Sequence, residues 1–136
     1  MAEICTGDES KAIVGEDAED EFDTLWWCPC GGNFVPQHHP LPDRKCEDCG
    51  LEVDVKGAPE AKDYGTITIS QRPFDSWDDG VVIAWRPSPH EWYGTRKHEC
   101  EAEGPYPPAH EGKRPTWFYK IDISPFRPLE HLLVTK

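Results

Sequence analysis

The chain has 136 residues, 14 Lys plus Arg against 26 Asp plus Glu, and a formal net charge of −12, which fits one compact domain with short tails and leaves no room for two. No apolar run approaches the roughly 20 residues a bilayer crossing needs, and the opening Met1-Ala2-Glu3-Ile4-Cys5 lacks the basic and apolar regions of a secretory signal. A soluble cytoplasmic protein is therefore expected, its 37% hydrophobic content concentrated in six Trp, five Phe and four Tyr, enough for a small aromatic core that a metal would help to staple.

Residues 1 to 23 carry nine acids and one base, Lys11, a net charge of −8. The remainder holds 17 acids and 13 bases, so the extreme acidity belongs to the amino-terminal stretch. Its polar composition predicts a disordered or loosely helical arm, with order beginning near Leu25-Trp26-Trp27. Such a balance excludes a broadly basic protein that coats DNA through non-specific phosphate contacts.

Next come a knuckle and turn over Cys28 to Phe34 and a Pro-rich connection from Pro36 to Pro42. A hairpin follows, with arms at Asp43 to Cys46 and Gly50 to Lys56. Its second arm alternates Leu51, Val53 and Val55 with Glu52, Asp54 and Lys56, the pattern of a half-buried strand with a charged face. Thr66 to Ile69 is strand-like. Ser70 suits an N-cap and Pro73 a first turn, so a short helix over Gln71 to Asp78 is expected to pack Phe74 and Trp77. Val81 to Trp85 is an apolar run suited to a central strand covered on both faces. Residues 86 to 115, with six of the 14 prolines, read as an irregular excursion. Thr116 to Ile123 reads as the last strand, and Ser124-Pro125 as the start of a helix through Leu132. The expected fold class is α+β: a mixed central sheet of the hairpin, Thr66 to Ile69, Val81 to Trp85 and Thr116 to Ile123, flanked by two short helices.

Cys28-Pro29-Cys30-Gly31 and Cys46-Glu47-Asp48-Cys49-Gly50, separated by 15 residues, carry the clearest chemical signal. Two thiolate pairs on separate turns can close a tetrahedron, and the glycine after each lets the backbone curl so that amides point at sulfur. The set suits zinc ahead of iron, in a zinc-ribbon-like knuckle, with a disulfide pair as the alternative in an oxidising compartment. A closed four-thiolate site leaves no position for substrate, so the zinc is structural. His38 and His39, between the pairs, could replace a cysteine but read as a polar loop. Cys5 reads as a spectator thiol, and His98 and Cys100, with His90 and His110 nearby, could form a second metal site but read as an ordinary loop.

A second pattern is Pro42-Asp43, ten intervening residues, then Asp54-Val55-Lys56. Asp54 and Lys56, two apart on a strand, share a face. Asp43 on the facing arm can approach Asp54 and share Mg²⁺ or Mn²⁺, while a lysine beside the ion can orient water or stabilise phosphoryl charge.

These residues resemble the PD-(D/E)XK nuclease signature, and the downstream order resembles its virus-type replication-repair nuclease and Holliday-junction-resolvase-like branches: Asp54-Val55-Lys56-Gly57, then Ser70-Gln71-Arg72 with Phe74 and Trp77, then Val81 to Trp85. The resemblance covers roughly residues 42 to 86. It implies that Asp43 and Asp54 hold the catalytic metal, Val55 offers its backbone carbonyl, Lys56 positions water and Gln71 supports the site. It also implies a leading helix that often supplies a further Glu, for which Glu16 to Glu21 is the available segment, and an unusual zinc knuckle as the hairpin turn.

Aromatic and basic residues interleave at Trp85-Arg86, Trp92 to Lys97 and Lys113 to Tyr119, which can stack on unpaired bases, although core tryptophans with cations snorkelling around them give the same pattern. No phosphate-binding glycine loop, G-x-S-x-G or H-E-x-x-H occurs. The first functional expectation is a metal-dependent nuclease acting on DNA, possible substrates being branched or single-stranded. The competing one is a non-catalytic zinc-ribbon protein that binds a polymerase or nuclease through its acidic arm, and a third is a zinc-ribbon nucleic-acid binder without chemistry.

Overall fold

A computed structural model describes residues 17–108 and 116–136, and shows a mixed α+β architecture in three sheets. Cys5, His110 and the basic run at Lys113-Arg114 lie outside the described residues. Helix α1 spans 17–25 and leads into β1 (Trp26–Trp27). Then follow β2 (Phe34–Pro36), β3 (Arg44–Cys46) and β4 (Glu52–Lys56), a meander of antiparallel neighbours. Residues between β4 and β6 (Val82–Ser88) supply α2 (Ala61–Tyr64), β5 (Thr66–Ser70) and α3 (Gln71–Ser76). After β7 (Glu91–Arg96) and a 3₁₀ turn at Lys97–Glu99 come β8 (Ala102–Tyr106), β9 (Phe118–Asp122), β10 (Arg127–Pro128), a 3₁₀ turn at Leu129–His131 and β11 (Val134–Thr135).

The main sheet has six strands in the order β10-β7-β6-β4-β3-β2. Among the described residues its only parallel pair is β4 with β6, registered Val53 to Val82 through Lys56 to Trp85. Parallel neighbours require a crossover, so α2, β5 and α3 are carried across one face of the sheet. That crossover corrects the expected single central sheet: Thr66 to Ile69 and the Phe118–Asp122 strand pair with each other in a separate three-stranded sheet, β5-β9-β8. Strand β6 feeds both layers by alternation. Val82 and Ala84 join Phe22, Trp26, Val53, Val55 and Trp92 on one side, while Ile83 and Trp85 join Ile67, Ile69, Phe74, Trp77 and Ile121 on the other.

The acidic stretch is not wholly an arm. Residues 17–23 are helical because Ala18, Phe22 and Leu25 recur on one helix face; Ala18 and Phe22 are fully buried, and the Phe22 ring lies 5.3 Å from Phe34 and 5.9 Å from Trp92. The 86 to 115 segment is likewise more regular than its prolines suggest, since β7 returns along β6 as an antiparallel neighbour and Pro87 falls at the register shift between Trp85 and Ser88, where a missing N–H costs no ladder bond. No helix forms over 124 to 132. Pro128 would occupy its interior, and the segment instead adds β10 to the sheet edge and turns at Leu129. Helix α3 does form, at Gln71–Ser76, although the Ser70 hydroxyl faces Thr116 Oγ1 and makes no cap bond.

Candidate functional site

Two centres meet at the β3–β4 hairpin. The first is the cysteine cluster, whose four Sγ atoms all lie within 4.8 Å of one another, with Cys28 to Cys49 and Cys30 to Cys46 at 3.4 Å. Four thiolates about 2.3 Å from a common zinc would sit about 3.8 Å apart, so the cluster has the size and donor set for a tetrahedral ion, and the spacing is far longer than a disulfide bond. The loops are shaped for it. Gly31 and Gly50, each following a cysteine pair, take left-handed φ angles of +92° and +83°, and Gly32 packs where a Cβ would lie 2.7 Å from Cys46 Sγ. Burial raises the thiol pKa of Cys28. Burial acts the same way on Cys46, but the backbone N–H groups of Cys49 and Asp48 favour its thiolate and bring it to about 7. His38 and His39 take no part in the cluster. His98 bonds the Asp79 carbonyl through Nδ1, and Cys100 packs against the core, where burial raises its thiol to about 12.

The second centre occupies the other end of the hairpin. Residues 46–50 form the turn, so Asp43 and Asp54 stand at the open end, registered by the pairing of Arg44 with Val53. Asp43, Asp54 and Lys56 line one cavity of about 120 Å³, with His39, Pro40, Leu41, Ser70, Pro73 and Trp77 among its walls. The charged face expected of β4 is covered at its centre: Asp54 is only 3% exposed, because the 40–42 loop and α3 close over it, the loop tied down by the Trp77 Nε1–H donating to the Pro40 carbonyl at 2.9 Å. The Val55 side chain packs in the opposite core, and its N–H donates to Asp43 Oδ2 at 2.8 Å. Lys56 Nζ pairs with Asp54 Oδ2 at 2.8 Å while keeping its side chain 31% exposed.

The electrostatics follow from this crowding. Burial pushes the Asp54 carboxyl up to about 7, the neighbouring Asp43 carboxylate adds to the rise, and Lys56 opposes it. Burial works against the Lys56 ammonium, yet Asp54, Asp43 and Glu19 together hold its pKa above the usual lysine value. Glu19 reaches this region from α1 through Arg44, whose Nη1 donates to Glu19 Oε1 at 2.9 Å and whose Nε and Nη2 clamp the Asp23 carboxylate at 2.8 and 3.0 Å. Gln71 is not brought to the cavity wall; it begins α3 beside Tyr119, its N–H donating to the Trp117 carbonyl, whereas its neighbour Ser70 does line the cavity. Sequence reasoning missed His39, Trp77 and Arg44 here. A loop with two prolines beside Asp43 was the available signal that the chain folds back over the carboxylates.

Compared with known proteins, the chain matches no family model, no curated protein and no solved structure. Among the described residues, no helix is long and apolar enough to cross a membrane.

Proposed function

We propose that the protein is a divalent-metal-dependent nuclease acting on DNA, its catalytic centre formed by Asp43, Asp54 and Lys56. One observation carries this reading: two carboxylates and a lysine converge in a single partly closed cavity, where burial and the neighbouring Asp43 make the Asp54 carboxylate costly to ionise without a cation. That donor set suits Mg²⁺ or Mn²⁺, hard ions that take carboxylate oxygens and keep waters for exchange with phosphate. Bound there, the ion would supply Lewis-acid polarisation of a phosphodiester. Asp43 is oriented for ligation by the Val55 N–H, and Lys56, partly open to solvent, is placed to hold a water or phosphoryl oxygen at the cavity mouth. The chain order of α1 with Glu19, the Asp54–Lys56 strand, α3 and apolar β6 supports the PD-(D/E)XK resemblance, with Gln71 and the cysteine knuckle as departures.

The competing reading, an acidic partner-binding arm, loses three of its charges to internal pairing. Glu19 and Asp23 are held by Arg44, and Glu21 by Arg86 at 3.2 Å. The four-cysteine centre is assigned a structural zinc that fixes the hairpin turn.

The deciding experiment incubates the zinc-loaded protein and its Asp54→Ala variant with linear, single-stranded and branched DNA in Mg²⁺ or Mn²⁺. Cleavage by the wild type alone is the expected result. Equal cleavage by both proteins, or by neither, removes the nuclease assignment.

A further inference from the structure

Lys56 belongs to two hollows. Besides the Asp43–Asp54 cavity, it lines an open groove of about 940 Å³ that runs past Tyr64, Thr66, Thr68 and Lys120. The volume stands at the upper end of the roughly 300–1,000 Å³ of small-ligand sites, more than a single phosphate group needs. Its floor is the outer face of the three-stranded sheet. Ile67 and Ile69 point into the core, so Thr66 and Thr68 point out, and Lys120 on β9 stands directly across from Thr68. The same face carries the stacked ring pair of Tyr106 and Phe118, at 5.7 Å, with Lys120 Nζ 4.8 Å over the Tyr106 ring.

Tyr64 forms one wall and is 77% exposed, the most exposed large apolar side chain among the described residues. Its backbone is nonetheless fixed: it is the last residue of α2, closed by Gly65 at φ +80° with the Gly65 N–H donating to the Ala61 carbonyl at 2.8 Å. An aromatic ring presented to water on a rigid turn, in a groove that Lys56 and Lys120 also line, matches what unpaired nucleotides require: a π-face to stack on and cations for the phosphates. A continuous duplex offers no free base face to such a ring. The acids set the path. Glu103 and Glu60 also border the groove, and Glu101 and Asp122 extend the acidic edge beyond Lys120, so phosphates are confined to the line between Lys56 and Lys120.

We infer that this groove holds an unpaired DNA strand adjoining the phosphate at the Asp43–Asp54 centre, a base stacking on Tyr64 and a phosphate pairing with Lys120. The substrate class is thereby single-stranded DNA or a single-stranded arm. The inference deepens the nuclease reading and rests on it for the position of the cut.

Binding separates the two. The zinc-loaded full chain is titrated, in Mg²⁺-free buffer, into a labelled oligothymidylate of about 15 nucleotides and into a blunt duplex of equal length, followed by fluorescence anisotropy. The single strand is expected to bind about tenfold or more tightly than the duplex, consistent with one or two stacked bases. Tyr64→Ala should weaken it about fivefold or more, and Lys120→Ala should weaken it while lowering the slope of log affinity against log salt by about 0.7. Both side chains are exposed, and unchanged melting temperatures verify that the variants fold. Equal or tighter duplex binding, no single-strand binding, or affinity indifferent to both substitutions overturns the groove. Tyr64-dependent binding without Mg²⁺-dependent cleavage keeps the groove and removes the nuclease. Asp54-dependent cleavage that ignores Tyr64 and Lys120 does the reverse.

Discussion

Asp43 Oδ2 accepts the backbone N–H of Val55 at 2.8 Å, so the carboxylate of one hairpin arm is pinned beside the residue following Asp54 on the other. The bond uses a donor of the strand itself, and it holds the two carboxyl groups together although their charges repel. The cost falls on Asp54, buried and pushed up to about 7.

A pH-dependent stability follows from that shift. An unfolded aspartate has an ordinary carboxylate pKa, so between about pH 4 and 7 the folded state holds the extra proton and stability falls as pH rises through this window, levelling off above it. Asp54→Asn mimics the protonated form. In Mg²⁺-free buffer its stability relative to wild type should improve by about 2 kcal/mol between pH 5 and pH 8, read from denaturation at each pH, while cleavage is lost. Mg²⁺ should raise the melting temperature of the wild type at pH 8 and leave the variant unmoved. A difference that stays flat with pH would show that Asp54 ionises normally in the fold.

Two adjacent glycines in the knuckle should separate space from backbone conformation. A Cβ on Gly32 would meet Asp48 Oδ2 at 2.6 Å and Cys46 Sγ at 2.7 Å, whereas one on Gly31 meets nothing within 4 Å but sits at φ +92°. Gly32→Ala should therefore displace a ligand and weaken zinc retention against a chelator, with loss of part of the bound metal by elemental analysis. Gly31→Ala should retain full zinc and lose about 1–2 kcal/mol of stability from the left-handed backbone alone.

How much of this was legible in the sequence depends on the range of the interaction. The cysteine cluster was legible because spacing and glycine placement are local, and so was the Asp43–Asp54 hairpin, because period-two alternation fixed Val53 and Val55 inward. Burial of Asp54 was not, since the cover comes from the proline loop at Leu41, which carries no periodic signal, and from Pro73 and Trp77, about twenty residues further along the chain. Placing β5 and β9 in a second sheet required knowing that β4 and β6 run parallel, a tertiary choice that strand propensity does not encode. Helix α1 was hidden by its acids. Ala18, Phe22 and Leu25 carry the helical period, but the surrounding charge reads as solvated until Arg44 and Arg86 are brought alongside.

Zinc removal should act at a distance through the hairpin. Cys46 ends β3, and Cys46 to Gly50 make the turn into β4, so losing the metal frees the element that registers Arg44 against Val53. Chelation, or Cys46→Ser, should lower the melting temperature markedly and abolish cleavage even with Mg²⁺ in excess, because structural zinc contributes folding energy directly. Zinc restored to the chelated protein should recover both. Cleavage that survives complete zinc loss would detach the knuckle from the carboxylate pair.

The last prediction concerns the helix that the acidic composition disguised. Glu21 projects from α1 toward the β6–β7 hairpin, accepts hydrogen bonds from the His90 N–H at 2.9 Å and Trp92 Nε1 at 2.5 Å, and pairs with Arg86 Nε at 3.2 Å. Burial alone would raise its carboxyl, but these donors outweigh it and hold the pKa below the usual glutamate value. A depressed carboxylate stabilises the fold above its unfolded pKa, and that contribution is lost as pH falls through the lower folded value. Glu21→Gln should thus destabilise the protein at pH 7 by about 1.5–3 kcal/mol, the range for hydrogen bonds to a charged group, with the gap to wild type narrowing in acid. Deleting residues 1–23 also removes Ala18 and Phe22 from the core and should prevent cooperative folding. A truncated chain with an unchanged cooperative melt would mean that α1 is an appendage, and that the domain begins, as composition suggests, after the acidic run.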